Sequence, residues 1–453
     1  LTRGFRTTAA GDCVQEYTGA CSMSPIRVFL PLAAVLMFCR LGLSQADYNQ
    51  PPVNYANAAV SDPVARLQKK LLAGKVTLEK HGELGYLPSL LKALDIPVSS
   101  QTLVFTKTSL QRAMISPKHP RALYFDDETY IGYVQDGDVL EIATTDPNIG
   151  TVFYSLDQHD KKPRIVREID NCVQCHAGSA TREVPGLMLR SVYSDPRGNP
   201  ILTAGTKLTT HESPFAERYG GWYVTGTHGG FDRQPHLGNV VGKDRDNPDP
   251  ENPRSGADVT DLSGFFDVKA YLSPHSDVVA LTVLAHQAEA HNLMNRANYA
   301  CKFALRDAEV INKALGRPIG EMSDSTHRRI NSPAEALLRY MLFCDEPPLA
   351  APLKGTTDFA REFASRGPRD SKGRSLRDLD LQTRTFRYPL SYLIYSKGFD
   401  GLPEPTRAYI YRRLGEVLNG KDQDRAFRHL SAEDRAAIAE ILRETKPEAV
   451  KGW

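Results

Sequence analysis

The five residues Cys172-Val173-Gln174-Cys175-His176 constrain this chain more than any other segment. Two thiols one helical turn apart, followed at once by an imidazole, form the pattern by which a chain attaches haem covalently. The thiols add to the two vinyl groups of one porphyrin, and the adjacent imidazole meets the iron. A chain that grips a flat macrocycle in this way needs a short helical turn on one haem face and further chain to cover the other. The spacing therefore predicts one haem c, with its iron, bound through thioethers at Cys172 and Cys175 and through His176 as the proximal ligand.

Three competing uses of these residues ask for contexts that the sequence does not supply. A thioredoxin-like dithiol sits in a βαβ unit, whereas the flanking residues have the texture of an antiparallel meander. Structural zinc asks for a second Cys/His pair at matching spacing, and Cys301 and Cys344 lie far downstream. A disulfide across two intervening residues is strained.

The start of the chain bears on how such a group would be attached. Residues 1–22 show no apolar period. Met23-Ser24-Pro25-Ile26-Arg27, an apolar run from Val28 to Phe38 and a small-residue end at Leu43-Ser44-Gln45-Ala46 follow. A basic flank, a short apolar core and such an end predict a secretory signal peptide starting at Met23 and cleaved after Ala46. The run falls short of the about 20 apolar residues of a membrane span. Without residues 1–46 the chain has 52 residues of each charge sign and four cysteines. No basic field then points to nucleic acid, and no stable membrane span is expected. Export to an oxidising compartment, the periplasm, fits covalent haem and leaves Cys301 and Cys344 as either a disulfide or two buried thiols.

Beyond the leader, residues 47–101 read as an N-terminal helical segment, with Asp62-Pro63 opening one helix and another near Pro88–Leu94. Residues 102–269 read as a β-rich haem module. Runs at Leu103–Phe105, Ala122–Phe125, Tyr130–Val134, Val139–Ile142 and Thr151–Tyr154 are separated by turn residues. A hairpin is expected from Leu187–Tyr193 and Pro200–Ala204 about the turn Ser194–Asn199, with a further strand in Gly221–Thr227. Residues 270–346 read as helical: Asp277–Leu305 keeps a helical period without proline, and Ser332-Pro333 is expected to cap a second helix. Residues 347–384 read as a linker, and residues 385–453 as a helical hairpin closed by the cap Ser431-Ala432-Glu433-Asp434. The fold class is thus α+β, a β-rich antiparallel module around the cysteine motif followed by an α-helical C-terminal half.

With its leader and its Cys172–His176 motif, the chain resembles large bacterial exported single-haem c-type cytochromes, proteins with a cytochrome c domain and no assigned activity. The segments His211-Glu212-Ser213-Pro214, Gly220–Gly229 and His286-Gln287 carry the resemblance further along the chain. The length and the β-rich surroundings depart from small cytochromes c, and with them goes the expectation of a distal methionine.

The ligand on the second haem face separates an electron carrier from an enzyme, because electron transfer uses a filled position and catalysis an open one. His228, flanked by glycines that let backbone approach a flat group, is the first candidate. His236, His286 and Met188 are the alternatives. His286 and His291 lie about 140° apart on a helix and cannot face one iron together. Arg218, Trp222, Tyr223 and Arg233, in the same stretch as His211 and His228, keep a peroxidase or oxidase in view; arginine paired with haem propionates is the plainer reading. The function expected is electron transfer by Fe(III)/Fe(II) cycling with a redox partner protein that no motif names. A haem enzyme and a haem-based sensor or scaffold module are the alternatives, and no motif fixes the oligomeric state.

Overall fold

The computed structural model describes residues 48–229, 233–243 and 254–453. The expected start at Met23 and cleavage after Ala46 lie outside the described residues.

The N-terminal half is built on a seven-stranded antiparallel sheet in the order β6-β5-β4-β3-β2-β1-β9. Its strands are β1 (Thr102–Val104), β2 (Arg121–Phe125), β3 (Thr129–Tyr133), β4 (Val139–Asp146), β5 (Gly150–Asp157), β6 (Ile165–Glu168) and β9 (Trp222–Tyr223). Tight turns at Asp126–Glu128 and Pro147–Ile149 keep β2 to β5 a meander, as the turn residues predict. Asp126 holds the first turn by accepting the Glu128 and Thr129 N–H groups at 2.9 and 2.7 Å.

A second, two-stranded sheet pairs β7 (Arg190–Val192) with β8 (Thr206–Leu208), Arg190 facing Leu208. The turn at Ser194–Asn199 forms as expected, with Asp195 accepting from the Arg197 and Asn199 N–H groups. The return strand does not occupy Pro200–Ala204, however. Leu202–Ala204 is a 3-10 turn, and pairing resumes only at Thr206.

The helices are α1 (Pro63–Leu72), α2 (Leu87–Leu94), α3 (Val173–His176), α4 (Val278–Leu315), α5 (Asp324–Met341), α6 (Phe359–Ser365), α7 (Lys397–Asp400), α8 (Glu404–Leu418) and α9 (Ala432–Thr445). The Asp62 and Ser431 caps form as read, the latter as a reciprocal capping box with Asp434. Helix α4 runs to Leu315, ten residues past its expected end, and stops at Gly316, whose φ of +66° suits a left-handed cap.

The cap at Ser332-Pro333 is a correction. Helix α5 is capped by Ser323, whose hydroxyl accepts the Thr326 N–H, and Pro333 lies inside it. A proline removes one helical hydrogen bond, but buried Ile330, Ala334, Leu337 and Leu338 keep the helix intact across it. Segment 347–384 carries no slack either: Leu353, Phe359, Phe363 and Leu376 are all buried. One hydrophobic core runs from Val53 to Leu442 through both halves.

Candidate functional site

Residues directly opposite in antiparallel strands share a face, so register defines the wall beside the motif. Leu123, Gly132, Glu141, Ser155 and Val166 form one cross-strand row, and Phe125, Tyr130, Ala143, Phe153 and Glu168 form the next on the same face. The Phe153 ring lies 5.2 Å from the His176 ring. The motif therefore sits against this face. The first row is only partly covered, and Gly132 keeps it low: a Cβ there would meet the Arg121 guanidinium at 2.4 Å. Arg121 and Glu141 form an ion pair of 2.5 Å on this wall, and the Ser155 hydroxyl donates to Glu168 at 2.6 Å.

The motif itself is a single helical turn. The His176 N–H donates to the Cys172 carbonyl at 2.9 Å, which brings the two thiols and the imidazole to one short segment. All four cysteines of the described chain are free thiols. Burial and the carboxylates of Glu168 and Glu141 push the Cys172 thiol up to about 12. A redox dithiol works with a depressed thiol pKa, so this environment argues against that reading. Cys301 packs with Ala304 and Ile330, apart from Cys344 in the main core; the two are separate buried thiols. Among the described residues no three His, Cys, Asp or Glu side chains gather as a metal site.

His176 and Gly186 bond to each other twice. The Gly186 N–H donates to the His176 carbonyl at 2.8 Å, and the Gly186 carbonyl lies 2.9 Å from His176 Nδ1. A carbonyl only accepts, so Nδ1 carries the proton and Nε2 keeps its lone pair. Burial lowers the pKa of this imidazole, which keeps the ring neutral. A fixed neutral imidazole with a free Nε2 and two unpaired thiols is the donor set that haem c requires. Two apolar side chains just before the motif, Val166 and Ile169, are exposed.

The histidines expected as second-face ligands lie in two pairs, His228 beside His236 and His286 beside His211. His228 is 2% exposed and neither ring nitrogen has a hydrogen-bond partner. It lies among Phe215 and His236, with 5.3 Å between the two imidazole centroids. His236 accepts the Gly238 N–H at Nδ1, which leaves the proton of the neutral ring on Nε2. His286 has both nitrogens engaged, Nδ1 with His211 Nδ1 at 2.8 Å and Nε2 with the Ser391 hydroxyl at 2.7 Å. Burial pushes His236 and His286 down to about 3, so both are neutral. None of the three shares a ring contact or hydrogen bond with His176. Met188 is half-buried in the segment that follows Gly186. Arg218 donates to the carbonyls of Ser213 and His211, and the Trp222 indole donates to the Arg190 carbonyl, so these donors serve backbone. Tyr223 does the same with the Pro117 carbonyl, and Arg233 is exposed.

Sequence reading passed over the residues that hold the motif from behind. Arg182, Gly186, Glu289, Asn292 and Asn295 do so, the last three from α4. In comparisons with known proteins, no family model, no curated protein and no solved structure matches the chain. What the site does therefore rests on its residues and their geometry.

Proposed function

We propose that this chain is an exported electron-transfer protein that holds one haem c at Cys172, Cys175 and His176. The observation that carries the reading is the state of His176: Nδ1 is tied to the Gly186 carbonyl and Nε2 is free. That is how a protein fixes the ring of an iron-ligating histidine and raises its basicity. Haem bound there supplies a one-electron couple. The protein's part is to hold the ring of His176 at a set angle, to keep its neutral tautomer, and to limit water with the wall of Phe153, Leu123 and Gly132. Thioether formation at Cys172 and Cys175 needs a thiol that is not committed to a metal or a disulfide, and both are uncommitted.

The test is expression with a c-haem maturation system, followed by denaturing electrophoresis and haem staining. A stained band that survives denaturation and disappears in Cys172→Ser/Cys175→Ser is expected. An unstained parent band would refute the reading. Ferric and ferrous spectra of the same sample then separate a filled position, expected for a carrier, from an open one. His228→Ala and Met188→Ala identify which side chain fills it by conversion to high spin.

A further inference from the structure

The segment after the motif is bent in a way that needs an external hold. Arg182 and Glu183 both have left-handed backbone, φ +62° and +61°, a conformation that side-chain-bearing residues avoid. Helix α4 supplies the hold. Asn292 is 1% exposed and grips Leu187 at both ends: Oδ1 accepts the Leu187 N–H at 2.8 Å and Nδ2 donates to the Leu187 carbonyl at 2.7 Å. The same Nδ2 reaches Glu289 Oε2 at 3.1 Å, and Glu289 Oε1 binds Arg182 at 2.6 and 2.7 Å. Asn295 takes the Pro185 carbonyl at 3.0 Å. The residue between these anchors is Gly186, the partner of His176. A Cβ at Gly186 would meet Asn292 Oδ1 at 2.2 Å, so glycine is what lets the amide close on the loop.

We infer that Asn292, anchored by Glu289, is a positioning residue for the haem ligand: it holds Leu187 so that the Gly186 carbonyl keeps the proton on His176 Nδ1, and thereby sets the reduction potential. The role rests on the haem reading above. It also gives the helical half a task at the site, because Asn292 belongs to the helix that links the sheet to α5. Releasing the loop weakens the bond at Nδ1 and makes the imidazole a poorer donor. Ferric iron suffers more from a poorer donor than ferrous iron, so the potential rises. Losing an outer partner of this kind typically changes metal-site properties tenfold or more, and a tenfold change in the ferric-to-ferrous preference of the ligand is about 59 mV for a one-electron couple.

The experiment compares the parent, Asn292→Ala, Gly186→Ala and Asn298→Ala as full chains. Asn298 is a control: it is buried on the same helix but donates to the Asn148 carbonyl, away from the loop. Hydrogen exchange at the Leu187 amide reads the grip whether or not haem is attached; tenfold faster exchange is expected in Asn292→Ala and parent-like exchange in Asn298→Ala. Redox titration of the haem-loaded proteins should place Asn292→Ala about 59 mV above the parent and Asn298→Ala on it. Gly186→Ala approaches the contact from the loop side and should move the potential in the same direction if Asn292→Ala does not fold. Faster exchange with an unmoved potential would overturn the proposal, as would equal shifts in Asn292→Ala and Asn298→Ala. Failure of the haem reading shows separately as an unstained parent band, and removes this role with it.

Discussion

Replacing Asp277 tests how firmly α4, the helix behind the motif, is held at its start. The carboxylate is 1% exposed and accepts five hydrogen bonds. Oδ1 takes the Val279 and Ala280 N–H groups at 2.7 and 3.3 Å, the N-cap of α4. Oδ2 takes the Thr356 and Thr357 N–H groups and the Thr357 hydroxyl at 2.8 to 2.9 Å, which ties residues 355–357 to the helix. Losing the cap costs about 1 kcal/mol, and each of the three donors on Oδ2 loses about 1 kcal/mol. Asp277→Ala should therefore lower stability by roughly 4 kcal/mol. Asn keeps the cap oxygen but turns an amide NH2 toward three donors, so Asp277→Asn should lose about 3 kcal/mol. Urea unfolding followed by circular dichroism reads both. A loss below about 1 kcal/mol in the alanine variant, or a parent-like asparagine variant, would show that the contacts at Oδ2 contribute little and that the helix start is held by packing alone.

Two further perturbations probe the surroundings. Burial pushes Glu212 up to about 7, with repulsion from Glu289 adding to the rise and Arg182 opposing it. Because that value lies above the unfolded one, its stabilisation is complete in acid and is lost as pH rises through 7; Glu212→Gln should lose about 1 kcal/mol less than the parent between pH 5 and 8, after allowance for solvent screening, and parallel unfolding-versus-pH curves would refute this. Arg377 is 4% exposed, lies over the rings of Phe363 and Tyr392 at 4.1 and 4.6 Å, and pairs with Asp127 at 2.8 Å; Arg377→Met should cost about 3 kcal/mol in thermal or urea unfolding, and Arg377→Lys nearly as much, because an ammonium cannot stack and fork at once.

What could be read from the sequence follows from how local each determinant is. The strands β2 to β5 are short runs rich in β-branched and aromatic residues, parted by Asp- and Gly-containing turns, so residue type and turn chemistry agree. Strand β6 went unread because Lys161-Lys162-Pro163-Arg164 precedes it and it has only Ile165 and Val166 as apolar residues, one of them 37% exposed; an edge strand borrows its order from its neighbour. Pro333 misled because a proline after serine reads as a helix start, and only packing across the helix shows that the chain tolerates it inside. The candidate attachment residues Cys172, Cys175 and His176 stand out in the sequence because thioether chemistry would fix their spacing along the chain. A ligand for the second face of the proposed haem does not stand out in the same way, since folding would choose it: His286, attractive by its position on a long helix, turns both nitrogens to other partners.

The grip on Leu187 was latent in one pattern. From Val278 to Asn295 the helix sequence has a single formal charge, Glu289, and all eighteen positions are buried. A helix that is apolar all round lies inside its domain, where each polar side chain must find a partner. Its polar residues are Thr282, His286, Gln287, Glu289, His291, Asn292 and Asn295, and a solvent-facing helix would spread such groups on one side. Here they point several ways, so they must reach backbone and side chains on several neighbours. Gln287 takes the Asp126 carbonyl, Asn292 the Leu187 carbonyl, and Asn295 the Pro185 carbonyl. These amides occupy loop carbonyls that no strand or helix can satisfy, and two of the three flank the glycine that fixes His176. A buried helix rich in amides, next in space to a motif on irregular chain, is therefore a reason to look for the residues that aim a ligand, even where no second motif is visible.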